Sequence, residues 1–317
     1  MTGGAGYIGS HLVDRLVNEG CEVVVLDDLS SGRLENINHH VESKRVDFVR
    51  GDVCSFKQVK EAMQGVDAIC HLAALVSIPY SMQNPTVAFD VNSAGTSNLL
   101  RACLKSGVEK FVFASTCAVY GEAAYLPIDE AHPTNPVSPY AASKLAAEQY
   151  CIRFYKVYGL KTVILRLFNV YGPRQGVDIY SGVITRFIKR LHTGEPPIIH
   201  GSGKQTRDFV HVYDTVEGVL GGLCHDNGVG QVFNIGSEKP TSINHLAKLL
   251  ISIMNLKVRP MYVKPRYGDI LQSYASIKKA KEILGYRPMI SLEEGLMSLI
   301  DWMENNGEFF EARLRNL

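Results

Sequence analysis

Short β-branched runs alternate with stretches of helical periodicity through the first half of the chain. Cys21 to Asp27, Asp47 to Gly51, Val66 to Leu72, Lys110 to Ser115 and Thr162 to Phe168 read as buried strands. Between them, Gly9 to Glu19, Phe56 to Met63, Pro85 to Lys105 and Pro139 to Tyr158 read as helices. The last has the clearest ends: Ser138 as N-cap, Pro139 at the first helical position and Gly159 just past the end. After Asn169 the rhythm breaks into Gly- and Pro-rich turns and short strands, with later helices predicted over Ser242 to Met254, Ile277 to Leu284 and Leu292 to Glu304. The fold expected is α/β: a Rossmann-type doubly wound parallel sheet over residues 1–168, then a smaller α/β substrate lobe over 169–317 that sends segments back to the first domain.

The pattern has one gap. The glycine-rich loop begins at residue 2, where a dinucleotide fold needs a strand feeding that loop, so the first strand is expected to be missing from the recorded start. Composition adds mainly exclusions. With 33 Lys and Arg against 32 Asp and Glu, the net charge of +1 leaves no broad basic surface for nucleic acid or an anionic membrane. No apolar stretch approaches the ~20 residues of a membrane span. The seven cysteines are scattered without a C-x-x-C pair, so no metal site is expected. Their odd number and the lack of a leader predict a reducing, cytoplasmic setting.

Thr2-Gly3-Gly4-Ala5-Gly6-Tyr7-Ile8-Gly9 places Gly at 3, 6 and 9 before a helix, a spacing that lets backbone N–H groups approach a pyrophosphate. Alone it could be a surface turn. The next strand, however, ends at Asp27, about 18 residues after Gly9, where a carboxylate can accept from ribose hydroxyls. Asp27 and Asp28 would repel a 2′-phosphate, which favours NAD; Arg33, close in sequence, is the residue type an NADP site would use. Asp52-Val53 and Leu72-Ala73-Ala74, each ending a strand, fit the adenine and the middle of the cofactor or are simply strand-end residues.

Tyr140 and Lys144 lie four apart on one helix face, so the ammonium can favour ionisation of a phenol whose ordinary pKa is near ~10. A strand ending at Ser115-Thr116 brings hydroxyls to the same sheet rim. A surface Tyr-Lys pair beside a satisfied Ser or Thr is the bland alternative.

TGGAGYIG, Asp27, HLAA at 71–74, Asn92, Ser115-Thr116 before VYG, YAASK at 140–144, LRLFNVYGPRQ at 165–175 and TRDFVHVYD at 206–214 occur in order. This set, spread over essentially the whole chain, resembles the extended short-chain dehydrogenase/reductases and, more narrowly, the UDP-hexose 4-epimerases. The resemblance implies that Tyr140 takes the sugar 4-hydroxyl proton, that Lys144 lowers the phenol pKa and holds the nicotinamide ribose, and that Thr116, with Ser115 as fallback, is the catalytic hydroxyl. It also places Tyr7, Ile8, Asn92 and Phe168 at the NAD, and Ser77, Asn169, Arg207, Arg266, Asp269 and Ser273 at a UDP-sugar. Family dehydratases carry an Asp-Glu pair after the catalytic Thr and decarboxylases a Glu before VYG; Cys117-Ala118 offers no such acid or base, which leaves C4 epimerisation.

Ser273, seven residues after Arg266, falls where glucose-restricted epimerases carry a bulky Tyr, so the resemblance implies acceptance of N-acetyl sugars. UDP-glucuronate epimerisation is the competing reading among enzymes. A non-catalytic NAD sensor or a scaffold would have no use for the full set. The resemblance further implies a homodimer packed through the Pro85 to Lys105 and Pro139 to Tyr158 helices.

Overall fold

The computed structural model describes residues 1–176, 182–265 and 270–306. In chain order the strands are β1 Val23–Asp27, β2 Val46–Arg50, β3 Ala68–His71, β4 Lys110–Thr116, β5 Lys161–Leu167, β6 Asn169–Tyr171, β7 Ile198–His200, β8 Thr206–His211, β9 Gln231–Ile235, β10 Pro240–Ser242 and β11 Met261–Val263. The helices are α1 Tyr7–Asn18, α2 Asn38–Glu42, α3 Phe56–Ala62, α4 Ile78–Gln83, α5 Pro85–Phe89, α6 Gly95–Ser106, α7 Pro139–Tyr158, α8 Val183–His192, α9 Val212–Cys224, α10 Ile243–Ile253, α11 Lys278–Leu284 and α12 Leu292–Asn305.

The buried β-branched runs pair in parallel, as strands covered on both faces do: β1 with β2, and β3, β4, β5 and β9 in that order. Between β1 and β3, Thr2 bridges Leu26 on one side and His71 on the other. Met1 accepts from the Leu26 N–H at 2.8 Å, and Thr2 N–H donates to the Cys70 carbonyl at 3.1 Å. As expected, no strand precedes the glycine loop among the described residues; Met1 to Gly3 nevertheless fill the end of the central slot from which that loop departs. Pairing to both neighbours holds even this short piece, because its N–H and C=O groups are satisfied there.

One sheet face carries α1 and α9, the other α3, α6 and α7, and each side has its own apolar core. Helix α9 and strand β9, both from the second half of the sequence, complete this unit. Nothing in the sequence reading assigned α9, because Gly218, Gly221 and Gly222 make it a poor helix by propensity. Packing overrides that: a Cβ on Gly218 would stand 2.9 Å from Ile235, so the glycines let the helix lie close on the sheet. Helix α8 was likewise unassigned. A third core joins α8, α10 and α12 beneath the small sheets β10-β8-β6 and β11-β7.

The predicted helix Pro85 to Lys105 is interrupted. A π turn over Asp90–Ala94 separates α5 from α6 and contains Asn92. Helix α1 starts at Tyr7, two residues before its expected beginning. Helix α7 has the expected ends: the Ser138 hydroxyl accepts from the Ala141 N–H at 3.2 Å, and Gly159 has φ +72°.

Candidate active site

The glycine loop turns over the sheet edge into α1. A Cβ on Gly3 would sit 2.6 Å from the Ala73 nitrogen, and one on Gly9 2.0 Å from the Gly3 carbonyl oxygen, so neither position admits a side chain. The N-cap is Gly6, with no side chain over the first turn and no acidic residue in it, so the positive end of α1 stays available to an anion. Asp27, buried at the tip of β1, accepts from the Ala5 N–H and the Leu29 N–H, each at 2.9 Å. Burial raises its pKa, against the two backbone bonds. This tight loop, open helix end and strand-tip carboxylate fit a dinucleotide of the NAD type. Asp28 is instead exposed and bonds Ser30. Asp52 is exposed and caps its own turn through the Cys54 N–H; Val53 is buried against Gly95.

Leu72, Ala73 and Ala74 follow β3 directly beneath Gly3. Asn92, in the π turn, holds both ends of Leu75 through its amide and donates to Ser143 of α7 at 3.0 Å. Ser81 accepts from the Tyr140 N–H, one of the otherwise unsatisfied amides at the start of α7. Ser77 caps α4, and Phe168 is buried beside Tyr120.

Strand alternation separates the two candidate hydroxyls. Thr116 stands near enough to the phenol of Tyr140 to favour its ionised form, and it caps the turn after β4. Ser115, on the other face, donates to Glu148, a fully buried carboxylate paired with Arg166 at 2.7 Å. Ser115 is thereby committed to a structural ion pair, whereas Thr116 is the hydroxyl on the Tyr140 side of the strand. Lys144 is 2% exposed, with Nζ over the Phe113 ring at 4.2 Å. Burial depresses its pKa to about 7, with Cys151 and Glu148 acting the other way. Burial also pushes Tyr140 up to about 12, against the Thr116 hydroxyl. The expectation of a depressed phenol pKa is thus corrected for this structure: desolvation outweighs the opposing Thr116 interaction, and the Cys117 thiol adds to the rise.

A cleft of ≈ 370 Å³ opens among β6, α8, β7 and β8, lined by Asn169, Val183, Arg186, Phe187, Arg190, Ile198, His200, Gln205, Arg207 and Ile243. Arg207 donates through Nη1 to the carbonyls of Thr206 and Ile270, and Asn169 to the carbonyl of Asp208. Sequence reasoning found Asn169 and Arg207 but missed Arg186, Arg190 and His200. The two arginines are spaced one helical turn apart on α8, a signal that would have placed them on one face had that helix been recognised. Ser273 is buried and joined to β8 through its N–H and the Thr206 carbonyl at 3.3 Å; it is not part of the cleft lining. Arg266 and Asp269 lie outside the described residues.

Asp14, His39 and His40 bring possible ligand atoms within 4.8 Å of one another, and Arg174 at 2.7 Å from Asp14 already supplies the positive charge there. No helix among the described residues is long and apolar enough to cross a membrane.

Comparison with known proteins agrees with this geometry. The NAD dependent epimerase/dehydratase family matches residues 1–236. A UDP-glucose 4-epimerase of Mycolicibacterium smegmatis is 37% identical over 317 residues, covering 97% of this chain and 99% of that one. The crystal structure of a Thermotoga maritima UDP-glucose 4-epimerase with UDP-glucose superposes with a TM-score of 0.91 at 38% identity, over 96% of this chain and 97% of that one. A UDP-N-acetylglucosamine 4-epimerase from Methanobrevibacter ruminantium, in complex with UDP-N-acetylmuramic acid, gives 0.91 at 34% identity over 96% and 97%.

Proposed function

The chain belongs to the NAD-dependent epimerase/dehydratase family, and we propose that within it the protein is a UDP-hexose 4-epimerase taking both the glucose/galactose pair and their N-acetyl counterparts. NAD is the cofactor; when bound it supplies reversible hydride acceptance at the sugar C4. The Gly3 to Gly9 loop holds its pyrophosphate, and Asp27 its adenosine ribose.

The observation carrying the reaction is the Thr116–Tyr140 hydroxyl pair followed by Cys117 and Ala118. Tyr140 exchanges the 4-hydroxyl proton while Thr116 orients it. To accept that proton the phenol must be ionised, and the Thr116 hydroxyl acts in that direction. With no carboxylate at 117 or 118, the 4-keto sugar has no partner for elimination or decarboxylation, and it returns to the alcohol on either face.

Arg207, Arg186 and Arg190 gather positive charge in the cleft for the UDP diphosphate, with Asn169 beside the sugar. We assign Arg266 and Asp269 to the same nucleotide and Ser273 to the space an acetamido group needs. In this reading residues 1–168 bind NAD and 169–317 the UDP-sugar. A second copy of the chain covers the apolar side chains exposed on α4, α5 and α7, among them Met82, Phe89 and Tyr158.

Incubation with UDP-glucose, UDP-galactose, their N-acetyl forms and UDP-glucuronate, with products resolved by chromatography, tests the proposal. Interconversion within the first two pairs is expected. Turnover of UDP-glucuronate alone would replace the substrate, and loss of water or carbon dioxide would replace the reaction.

A further inference from the structure

A line of buried hydrogen bonds runs from the glycine loop to the backbone of Tyr140, and its protons can be placed in only one order. The Asn92 carbonyl only accepts, so the Thr96 hydroxyl, 2.6 Å away, donates to it. Thr96 Oγ1 then has only lone pairs for His71 Nε2 at 2.9 Å, which makes Nε2 the protonated ring nitrogen. His71 is neutral: burial and the Lys144 charge hold its pKa well below the ordinary value. Its bare Nδ1 accepts from the Thr2 hydroxyl at 2.7 Å, and Thr2 Oγ1 accepts from the Ala73 N–H at 3.3 Å.

On the far side, Asn92 Oδ1 accepts from the Leu75 N–H, while Nδ2 donates to the Leu75 carbonyl and to Ser143 Oγ. The Ser143 hydroxyl in turn donates to the Tyr140 carbonyl at 2.8 Å. Each hydroxyl proton and each Asn92 amide proton has an acceptor. Such a network is either intact or broken, because an opened link leaves the buried His71 N–H without a partner.

We propose that His71 and Thr96 are positioning residues that tie the cofactor loop to the first turn of the catalytic helix, so that seating the dinucleotide also fixes Tyr140. Thr2 immediately precedes Gly3, which leans on Ala73, so a shift of the loop acts directly on the Thr2–His71 bond. The π turn presents the Asn92 carbonyl to Thr96 and its side chain to α7 from one residue. The assignment of roles to Tyr140 and the loop rests on the function proposed above, but the link itself can be measured without turnover.

Thr96→Val keeps the side-chain shape and removes both bonds. Backbone amide exchange of residues 140–144 is followed with and without NAD. In the native protein NAD slows this exchange by about tenfold, the scale of one buried hydrogen bond. In Thr96→Val the NAD-dependent slowing falls below about twofold although NAD still binds, and Thr96→Ser restores it. For the epimerase, kcat falls about tenfold in Thr96→Val with the KM for the UDP-sugar unchanged. Full NAD-dependent slowing in Thr96→Val, or none in the native protein, overturns the proposal. Absence of epimerase activity alone overturns the functional reading instead. If Thr96→Val fails to fold, His71→Asn, which keeps a donor but cannot span both hydroxyls, carries the same expectations.

Discussion

The rim of the large sheet and the arginine-lined cleft solve different problems. At the rim, Thr116, Asn92, Tyr140 and Lys144 are held by bonds that are already complete: Asn92 by Leu75 and Ser143, the start of α7 by Ser138 and Ser81. In the cleft, Arg186 and Arg190 of α8 and Arg207 of β8 line ≈ 370 Å³ of space, with Arg190 also paired to Glu195 at 2.9 Å. A pre-positioned rim suits proton exchange, where small displacements are costly. A cleft lined by guanidinium groups suits a diphosphate, whose oxygens they can grip in bidentate fashion. Substitutions at the rim are therefore expected to lower kcat, and those in the cleft to raise KM.

Tyr140→Phe gives the largest effect. It removes only the phenolic oxygen, so kcat should fall by about 10²- to 10⁴-fold with fold and NAD content retained; wild-type turnover in this variant would remove the rim from the chemistry. Next comes Arg207→Ala, which should raise the KM for UDP-sugars by about tenfold or more while kcat changes little, the scale of a charged hydrogen bond. A drop confined to kcat would break the division between the two regions.

Ser273→Tyr should lower the N-acetyl activity relative to the glucose/galactose activity by about tenfold, since a phenol and an acetamido group cannot share one space without strain. An unchanged ratio in competition assays would show that the pocket is closed elsewhere.

The smallest effect is a pH signature at Lys144. Its folded-state pKa of about 7 lies below the ordinary 10.5, so between these values the unfolded chain binds more protons and stability rises with pH. Below about 7 both states hold the proton and the cost of the buried charge is fully present. Lys144→Met should therefore exceed the native Tm most at pH 6, with the gap narrowing toward pH 9. A gap independent of pH would mean that Lys144 is better solvated than its surroundings imply.

How much of this was legible in the sequence also divides between the regions. Helix α7 carries its own ends, Ser138-Pro139 and Gly159, and its Tyr-Lys spacing places both groups on one face without tertiary information. The glycine loop is similarly local. By contrast α9 was hidden, because its glycines make sense only against Ile235 and the sheet. With α8 unassigned, the convergence of Arg186 and Arg190 on Arg207 was invisible, since it arises from long-range packing. Strand alternation could have separated Ser115 from Thr116, but the buried partner that claims Ser115, Glu148, lies on another element. The π turn and the two-sided pairing of Thr2 depend on neighbours distant in sequence.

The central claim, epimerisation by removal and return of the same C4 hydrogen, is tested most directly with a UDP-hexose deuterated at C4. The account requires the deuterium to remain at C4 of the epimerised product, with neither washout into water nor transfer to unlabelled sugar. Conversion with loss of the label to solvent, or accumulation of reduced cofactor and an oxidised sugar, would contradict it.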